Sequence, residues 1–479
     1  MPFSLPELLE GSGAEAPDLD VAGVNADSRA LSSGEVFFAT PGTRVHGISF
    51  LAEAHDKGAA AIVTDTMPGS DPGIPVIVVD DVRAAYARAA ARQFAPQPKT
   101  IAGVTGTSGK SSVVSFVRQI WAASGIAGAS LGTVGIETSK GMRPAELTTP
   151  DALSLHRQLG MLKSEGIDHV AIETSSQGLD QRRTDGVSFS AVAFTNLSRD
   201  HLDYHDDMLA YRDAKLRLFN ELIGEGAAAI VNVDDENHEP FLYGALSRGA
   251  TLMTVGREGG WFEIGEIVNE GLGQRVTGRL VGEPVSFFLP LTGAFQASNA
   301  VVALGLAMAT GSPQGKALAA LEHLKGARGR LELVGEHNGA AIFVDYAHKP
   351  VALEVALGAL RPYATKDLHV VFGAGGDRDK GKRPMMGEIA ARLADKVIVT
   401  DDNPRTEDAG AIRSEILAAA PKAEELGDRR EAIAAAIGAL KPGDVLLIAG
   451  KGHEDYQIVG ATKHHFSDHE VVAEILKGL

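Results

Sequence analysis

Two hydrophobic patterns recur along the chain. Short runs of nearly continuous apolar character lie at Ile101 to Thr105, His169 to Ile172 and Ala191 to Thr195, and again at Ala341 to Val344, His369 to Phe372, Val397 to Thr400 and Val445 to Ala449. Runs of this length with no polar alternation predict strands buried on both faces, as in a parallel sheet. Between them lie stretches with helical periodicity or Ala-rich composition, among them Ala84 to Ala91, Val113 to Ala122, Met208 to Ile223, Ala317 to Leu324 and Glu431 to Leu440. The alternation predicts an α/β protein whose parallel sheets are covered by helices.

Ligands of such sheets bind beyond the carboxyl ends of the strands, so polar loops should follow the apolar runs. Seven do: Gly106 to Ser112, Glu173 to Ser176, Asn196 to Tyr204, Asp345 to His348, Gly375 to Arg378, Asp401 to Arg405 and Gly450 to Glu454. Two punctuation points divide the chain. Pro96-Gln97-Pro98 ends an Ala/Arg helix, because proline cannot continue a helix and biases the preceding residue toward extended geometry. Lys325 to Gly329 is a glycine-punctuated stretch between a helix and a strand. The expected domains are therefore 1–98, 99–328 and 329–479.

Composition narrows the class. The 479 residues carry a net charge of -17, which argues against a broad nucleic-acid surface. There is no cysteine, so disulfides and thiolate metal sites are ruled out. The start, Met1-Pro2-Phe3-Ser4, does not read as a leader, and no apolar stretch is long enough to span a bilayer, so a cytoplasmic enzyme without membrane insertion is expected. A monomer is the default expectation.

"GVTGTSGKSS", residues 103–112, follows one strand and precedes the helix Val113 to Ala122. A glycine-rich turn there lets backbone N–H groups of Gly106, Thr107, Ser108, Gly109, Lys110, Ser111 and Ser112 converge on phosphate oxygens. Lys110 adds a point charge and Ser111 a hydroxyl for Mg²⁺. The strict phosphate-loop spacing requires glycine at position 104, where this chain has Val104.

Taken together and in order, "TGTSGKSS", "ETSS", "TNLSRDHLDYH", "YRDAKLRLF", "VDYAHKP", "GAGGDRDKGKRPMM", "DDNPR" and "GKGHEDY" resemble the Mur ligases of peptidoglycan precursor synthesis, over essentially the whole chain. The resemblance implies three domains: an N-terminal uridine-nucleotide-binding α/β domain, a central P-loop ATPase domain with a parallel sheet, and a C-terminal Rossmann-like domain. It also implies an ATP-dependent amide ligation through an acyl phosphate, with Mg²⁺ and small-molecule substrates. In such enzymes Glu173 and His201 join Ser111 as metal ligands, and the lysine matching Lys215 carries a carbamate that helps hold a second Mg²⁺. On residue grounds alone, Lys215 lies in the stripe Tyr211, Lys215, Phe219, Leu222, where burial would favour the neutral amine.

The resemblance places UDP-MurNAc-L-Ala-D-Glu at Ser28, Thr43, Arg44, Val45, Thr148, Thr149, Ser175, Gln181 and Arg183. The last is a guanidinium suited to bidentate grip of an anion. It places ATP also at Asn299, Arg330, Asp345 and His348. Three positions depart from the family pattern: Leu147, Gln177 and Gln296. For the amino acid added, meso-diaminopimelate differs from lysine by a distal carboxylate beside its distal ammonium. "DDNPR" supplies Arg405 for that carboxylate and Asp402 and Asn403 as acceptors, on a loop stiffened by Pro404. The Gly450 carbonyl and Glu454 complete the ammonium site, and Arg378 offers a second cation. Competing readings are a lysine-adding ligase, folylpolyglutamate synthase, or a nucleotide-dependent switch with no ligase activity.

Overall fold

The computed structural model describes residues 2–42, 45–145 and 147–478. The chain forms two compact units. One holds the residues up to Glu263 together with Val301–Ala317, and the other holds Ile264–Ala300 together with the chain from Leu318 onward.

Besides the short pair Phe3–Ser4 and Asp20–Val21, two larger sheets shape the first unit. Near its start, Gly23–Asn25, Glu35–Phe38, Ala61–Thr64 and Val76–Val78 form a parallel sheet in that order. Side chains alternate across it: Val36 and Phe38 join a core with Leu5, Leu8 and the helix Val82–Gln93, while Phe37 and Ile62 join Leu31 and Ala54 on the other face. The helix starts at Asp81, whose carboxylate accepts from the Ala84 N–H at 2.9 Å and satisfies a donor that the first turn leaves orphaned.

The second sheet sets six parallel strands in the order Gly128–Gly132, His169–Glu173, Thr100–Thr105, Phe189–Phe194, Ile223–Asn232 and Thr251–Gly256. Thr100–Thr105 is thus flanked by His169–Glu173 and Phe189–Phe194, and the polar loops that follow these three strands share one sheet edge. The helix Lys110–Ala123 buries Val113, Val114, Phe116, Val117, Ile120 and Trp121. Its last turn is anchored by Trp121, whose Nε1 donates to Thr310 Oγ1 at 2.9 Å. The helix expected over 208–223 is shorter: the α-helix covers Met208–Arg217, a π-helical turn covers Leu218–Leu222, and Ile223 begins the next strand. The wider turn buries both Leu218 and Phe219.

In the second unit a six-stranded sheet runs Glu332–His337, Ala340–Asp345, Val445–Ala449, Leu368–Phe372, Lys396–Val399 and Glu424–Glu425. The first pair is antiparallel and the others are parallel. Phe343, Val370, Phe372 and Leu447 face one core, Ile342, Val344, Val371, Leu446 and Ile448 the other. This two-sided burial is what the unbroken apolar runs predict. Among the described residues no helix is long and apolar enough to cross a membrane.

Candidate active site

The phosphate loop of the first unit is built by glycine. Gly106 has φ 144° and Gly109 φ 88°, and a Cβ on Gly106 would lie 1.9 Å from Thr195 Oγ1. Only glycine lets the turn lie so close to the neighbouring strand. Ser108 accepts at its carbonyl from Thr195 Oγ1 at 2.7 Å, and Thr107 Oγ1 meets Tyr211 Oη at 3.1 Å. Lys110 Nζ donates to the carbonyls of Gly106 and Thr107, both at 2.8 Å, and Ser111 is buried behind it.

Lys215 reaches the same loop from its helix. Its Nζ donates to the Gly106 carbonyl at 2.8 Å and lies 4.4 Å from the centre of the Tyr211 ring. With 1% exposure it is desolvated, and burial, reinforced by the Lys110 charge, holds its pKa well below the usual lysine range; Asp200 acts the other way. A neutral amine is the form that captures CO₂.

Glu173 ends its strand in register with Val104, at 1% exposure. Its two oxygens are held by one residue: Oε1 accepts from the Thr133 N–H at 2.9 Å and Oε2 from Thr133 Oγ1 at 3.2 Å. Gly132 makes room, since a Cβ there would lie 2.1 Å from Oε1. His201 adopts a left-handed backbone, φ 53°, with its ring 6.1 Å from that of Tyr211. A carboxylate, an imidazole and a serine hydroxyl around a phosphate loop are a donor set that suits a hard divalent cation. Another group of potential ligands, Asp367, His369 and Asp444, lies at the opposite ends of its strands and is closed by its own hydrogen bonds.

Several residues expected to hold the sugar-peptide substrate form one network. Thr149 Oγ1 donates to the Glu173 carbonyl and accepts from the Ser175 N–H, each at 2.9 Å. Arg183 donates through Nη1 to the Thr149 carbonyl at 2.7 Å and through Nε and Nη2 to Gln181 Oε1. Gln181 Nε2 donates to Tyr204 Oη at 2.9 Å, and that hydroxyl donates to Asp180 at 2.6 Å. Thr148 Oγ1 lies 2.9 Å from Thr133 Oγ1. Thr133 and Tyr204 carry no sequence signal of their own; the one hint is that a carboxylate buried at position 173 needs partners. Ser28 is buried and donates to Glu53 at 2.7 Å, Val45 is exposed, and Thr43 and Arg44 lie outside the described residues.

In the second unit, the loop 401–405 is fastened to the strand Tyr456–Val459. Arg405 N–H donates to the Ile458 carbonyl at 3.0 Å, and Gly460 N–H to the Arg405 carbonyl at 2.7 Å. These bonds hold Arg405 at φ 52°, a left-handed conformation that costs on the order of 1 kcal/mol for a side-chain-bearing residue. Arg405 Nη1 donates to the Gly376 carbonyl at 2.9 Å, which aims the guanidinium.

Beside it, Lys451 is fully buried. Its Nζ lies 3.6 Å from Asp402 and 3.7 Å from Glu454, and donates to Asn403 Oδ1 at 3.2 Å and to the Tyr456 carbonyl at 2.6 Å. Burial raises the Glu454 carboxyl above its usual range, the Asp402 charge adds to that, and Lys451 opposes it. Asn403 does not present the free oxygen expected of it: Oδ1 already accepts from Lys451 and from the Ile458 N–H, while Nδ2 donates to Glu454 at 3.1 Å. It positions the acids instead. A Cβ on Gly450 would lie 2.7 Å from Asp402, so glycine keeps the carboxylate in place. Arg378 is exposed and donates to its neighbour's carbonyl at 3.3 Å.

Two buried guanidiniums frame the loops. Arg383 donates to Gly375, Glu407 and Glu415, and Arg429 donates to Asp468 and to the Ala449 carbonyl. Arg330 stacks 4.8 Å above the Tyr346 ring, and desolvation pushes the nearby Asp345 carboxyl up to about 6. His348 and His453 are both lowered to about 4 by burial. Asn299 is buried one turn into the helix Phe295–Ala309, where its Nδ2 donates to Gln296 Oε1 at 3.1 Å.

The chain matches three family descriptions: "Mur ligase family, catalytic domain" over residues 20–94, "Mur ligase middle domain" over 104–307, and "Mur ligase, glutamate ligase domain" over 329–452. A protein of Bradyrhizobium diazoefficiens named UDP-N-acetylmuramoyl-L-alanyl-D-glutamate--2,6-diaminopimelate ligase is 54% identical, covering 96% of this chain and 95% of its own. A relative of the same name from Chelativorans is 51% identical, covering 98% of each. A solved structure bearing that ligase name has a TM-score of 0.74 at 30% identity, over 100% of this chain and 99% of the other. Folylpolyglutamate synthase of Mycobacterium tuberculosis, at 18% identity and a TM-score of 0.61 over 77% of this chain and 92% of the other, shares the fold.

Proposed function

The chain belongs to the Mur ligase family, and we propose from that premise how its residues carry the reaction. It is the ligase that joins 2,6-diaminopimelate to UDP-N-acetylmuramoyl-L-alanyl-D-glutamate in peptidoglycan precursor synthesis. ATP drives the reaction. We assign the acceptor as the meso isomer.

Amide formation in water needs an activated carboxyl, which transfer of the γ-phosphoryl group to the substrate carboxylate supplies as an acyl phosphate. Backbone N–H groups of residues 106–112 and the Lys110 ammonium receive the phosphates. Ser111, Glu173, His201 and, as its carbamate, Lys215 would hold Mg²⁺, which would neutralise phosphate charge. Arg183, Gln181, Ser175, Thr148 and Thr149 orient the dipeptide end, and Ser28 serves the uridine end. Asn299, Arg330, Asp345 and His348 serve the nucleotide. Arg405 grips the distal carboxylate of the acceptor, and Asp402, Glu454 and the Gly450 carbonyl receive its distal ammonium.

The observation that carries the acceptor assignment is the cluster of buried Asp402 and Lys451 with half-buried Glu454 beside Arg405. Two acids share one buried lysine, so a further ammonium relieves the Glu454 carboxylate, and the neighbouring guanidinium matches a carboxylate on the same carbon. Lysine offers the ammonium alone. The test is ADP formation from ATP and UDP-MurNAc-L-Ala-D-Glu against a panel of amino acids: release stimulated by meso-diaminopimelate and barely by L-lysine supports the assignment, and equal stimulation refutes it.

A further inference from the structure

Thr133 joins Glu173 to Thr148 through a single hydroxyl. Its Oγ1 carries one hydrogen, donated to Glu173 Oε2 at 3.2 Å, so the 2.9 Å contact with Thr148 Oγ1 is made with Thr148 as donor. In this direction the two-hydroxyl chain points toward the carboxylate, and Thr148 has no proton left for a ligand. Reversal needs only two hydroxyl rotations. Once a cation takes up the Glu173 charge, Oε2 has less need of the Thr133 proton. Thr133 then donates to Thr148, and Thr148 donates outward.

We propose that Thr133 is a positioning residue that couples divalent-cation binding at Glu173 to binding of the anionic sugar-peptide substrate at Thr148, by reversing this hydroxyl relay. The inference rests on the assignment of Glu173 to the metal and Thr148 to the substrate made above. Two features of the site favour the relay. Both Glu173 oxygens accept from Thr133, and Gly132 leaves the space in which the carboxylate lies against it. The substrate carries diphosphate and carboxylate groups, which accept hydrogen bonds and reward a donor at Thr148. Coupling of this kind is reciprocal, so each ligand tightens the other by the same factor.

The experiment measures Mn²⁺ dissociation constants from the electron-paramagnetic-resonance signal of free Mn²⁺, with and without saturating UDP-MurNAc-L-Ala-D-Glu. The full-length protein is compared with T133V, T133S, T148V and E173Q. The unaltered protein binds Mn²⁺ about fivefold or more tighter when the substrate is present. T133V and T148V, which cut the relay at either end with nearly unchanged shape, bring that factor below about twofold, whereas T133S keeps it. Near-ultraviolet circular dichroism checks that each variant is folded. T133V retaining the full factor, while E173Q weakens Mn²⁺ binding in both conditions, overturns the relay alone. E173Q binding Mn²⁺ as the unaltered protein does overturns the metal assignment, and the relay with it.

Discussion

Lys110 and Lys215 donate to the same acceptor: both Nζ atoms lie 2.8 Å from the carbonyl oxygen of Gly106. Two ammonium groups on one buried carbonyl repel each other, and the desolvated partner, Lys215, yields its proton more readily. A carbamate on Lys215 converts that repulsion into attraction and turns a cation beside the phosphate loop into a metal ligand. K215A is therefore expected to lose about 10²–10³-fold in kcat, the scale of a lost electrostatic group in an active site. Short carboxylates such as acetate or propionate should restore part of it. A fully active K215A contradicts the carbamate.

Gly132 tests space without testing conformation, since its φ is not in the left-handed region. A methyl group there would lie 2.1 Å from Glu173 Oε1 and 2.5 Å from Cγ, so the whole side chain must leave Thr133. G132A should keep the thermal stability of the parent within a few degrees but lose on the order of 10²-fold in kcat/KM. Circular dichroism melting and an ADP-release assay check the two halves.

Arg383 is buried and holds Glu407 and Glu415 while donating to the Gly375 carbonyl of the loop that Arg405 also touches. R383M should cost about 3 kcal/mol of stability, the lower end for a broken buried pair because Glu415 is partly exposed. KM for the acceptor should rise. KM for UDP-MurNAc-L-Ala-D-Glu should stay put; a parallel rise in both would mean that Arg383 supports the fold and not the acceptor loop.

Glu407 gives a pH test. Its hydrogen bond with Arg383, with the Asp377 N–H and Lys380 adding, lowers its carboxyl from 4.5 to about 2. A depressed folded-state pKa stabilises the protein above the unfolded value and loses that contribution as pH falls through the folded one. The melting-temperature gap between parent and E407Q should therefore be widest above about pH 4.5 and close toward pH 2. A gap that stays constant across this window would contradict the linkage.

The strands and the polar loops that follow them were legible because two-sided burial leaves unbroken apolar runs, and the same runs indicated where along the chain Lys110, Glu173 and Arg405 stand, at or just beyond strand ends. Thr133, 40 residues before Glu173 and in no motif, acquires its role only when the strands Gly128–Gly132 and His169–Glu173 pair. Lys451 stood inside "GKGHEDY" yet its role was invisible, because nothing local shows that its charge is buried between Asp402 and Glu454. Asn403 shows the reverse: its chemistry was readable, but Lys451 and the Ile458 N–H occupy the oxygen that the sequence offered to a ligand. The π-helical turn after Arg217 had no sequence signal distinct from a continued helix.

The most direct test of the account is acceptor selectivity in R405M. Steady-state kcat/KM is measured for meso-diaminopimelate and for L-lysine in parent and variant. Losing one partner of a buried charge pair costs about 2–5 kcal/mol, so the diaminopimelate value should fall by about 30-fold to more than 10³-fold. The L-lysine value, which owes nothing to Arg405, should change by no more than a few fold, and selectivity should collapse. An R405M enzyme that still prefers the diacid by the parental ratio would contradict the role assigned to this guanidinium.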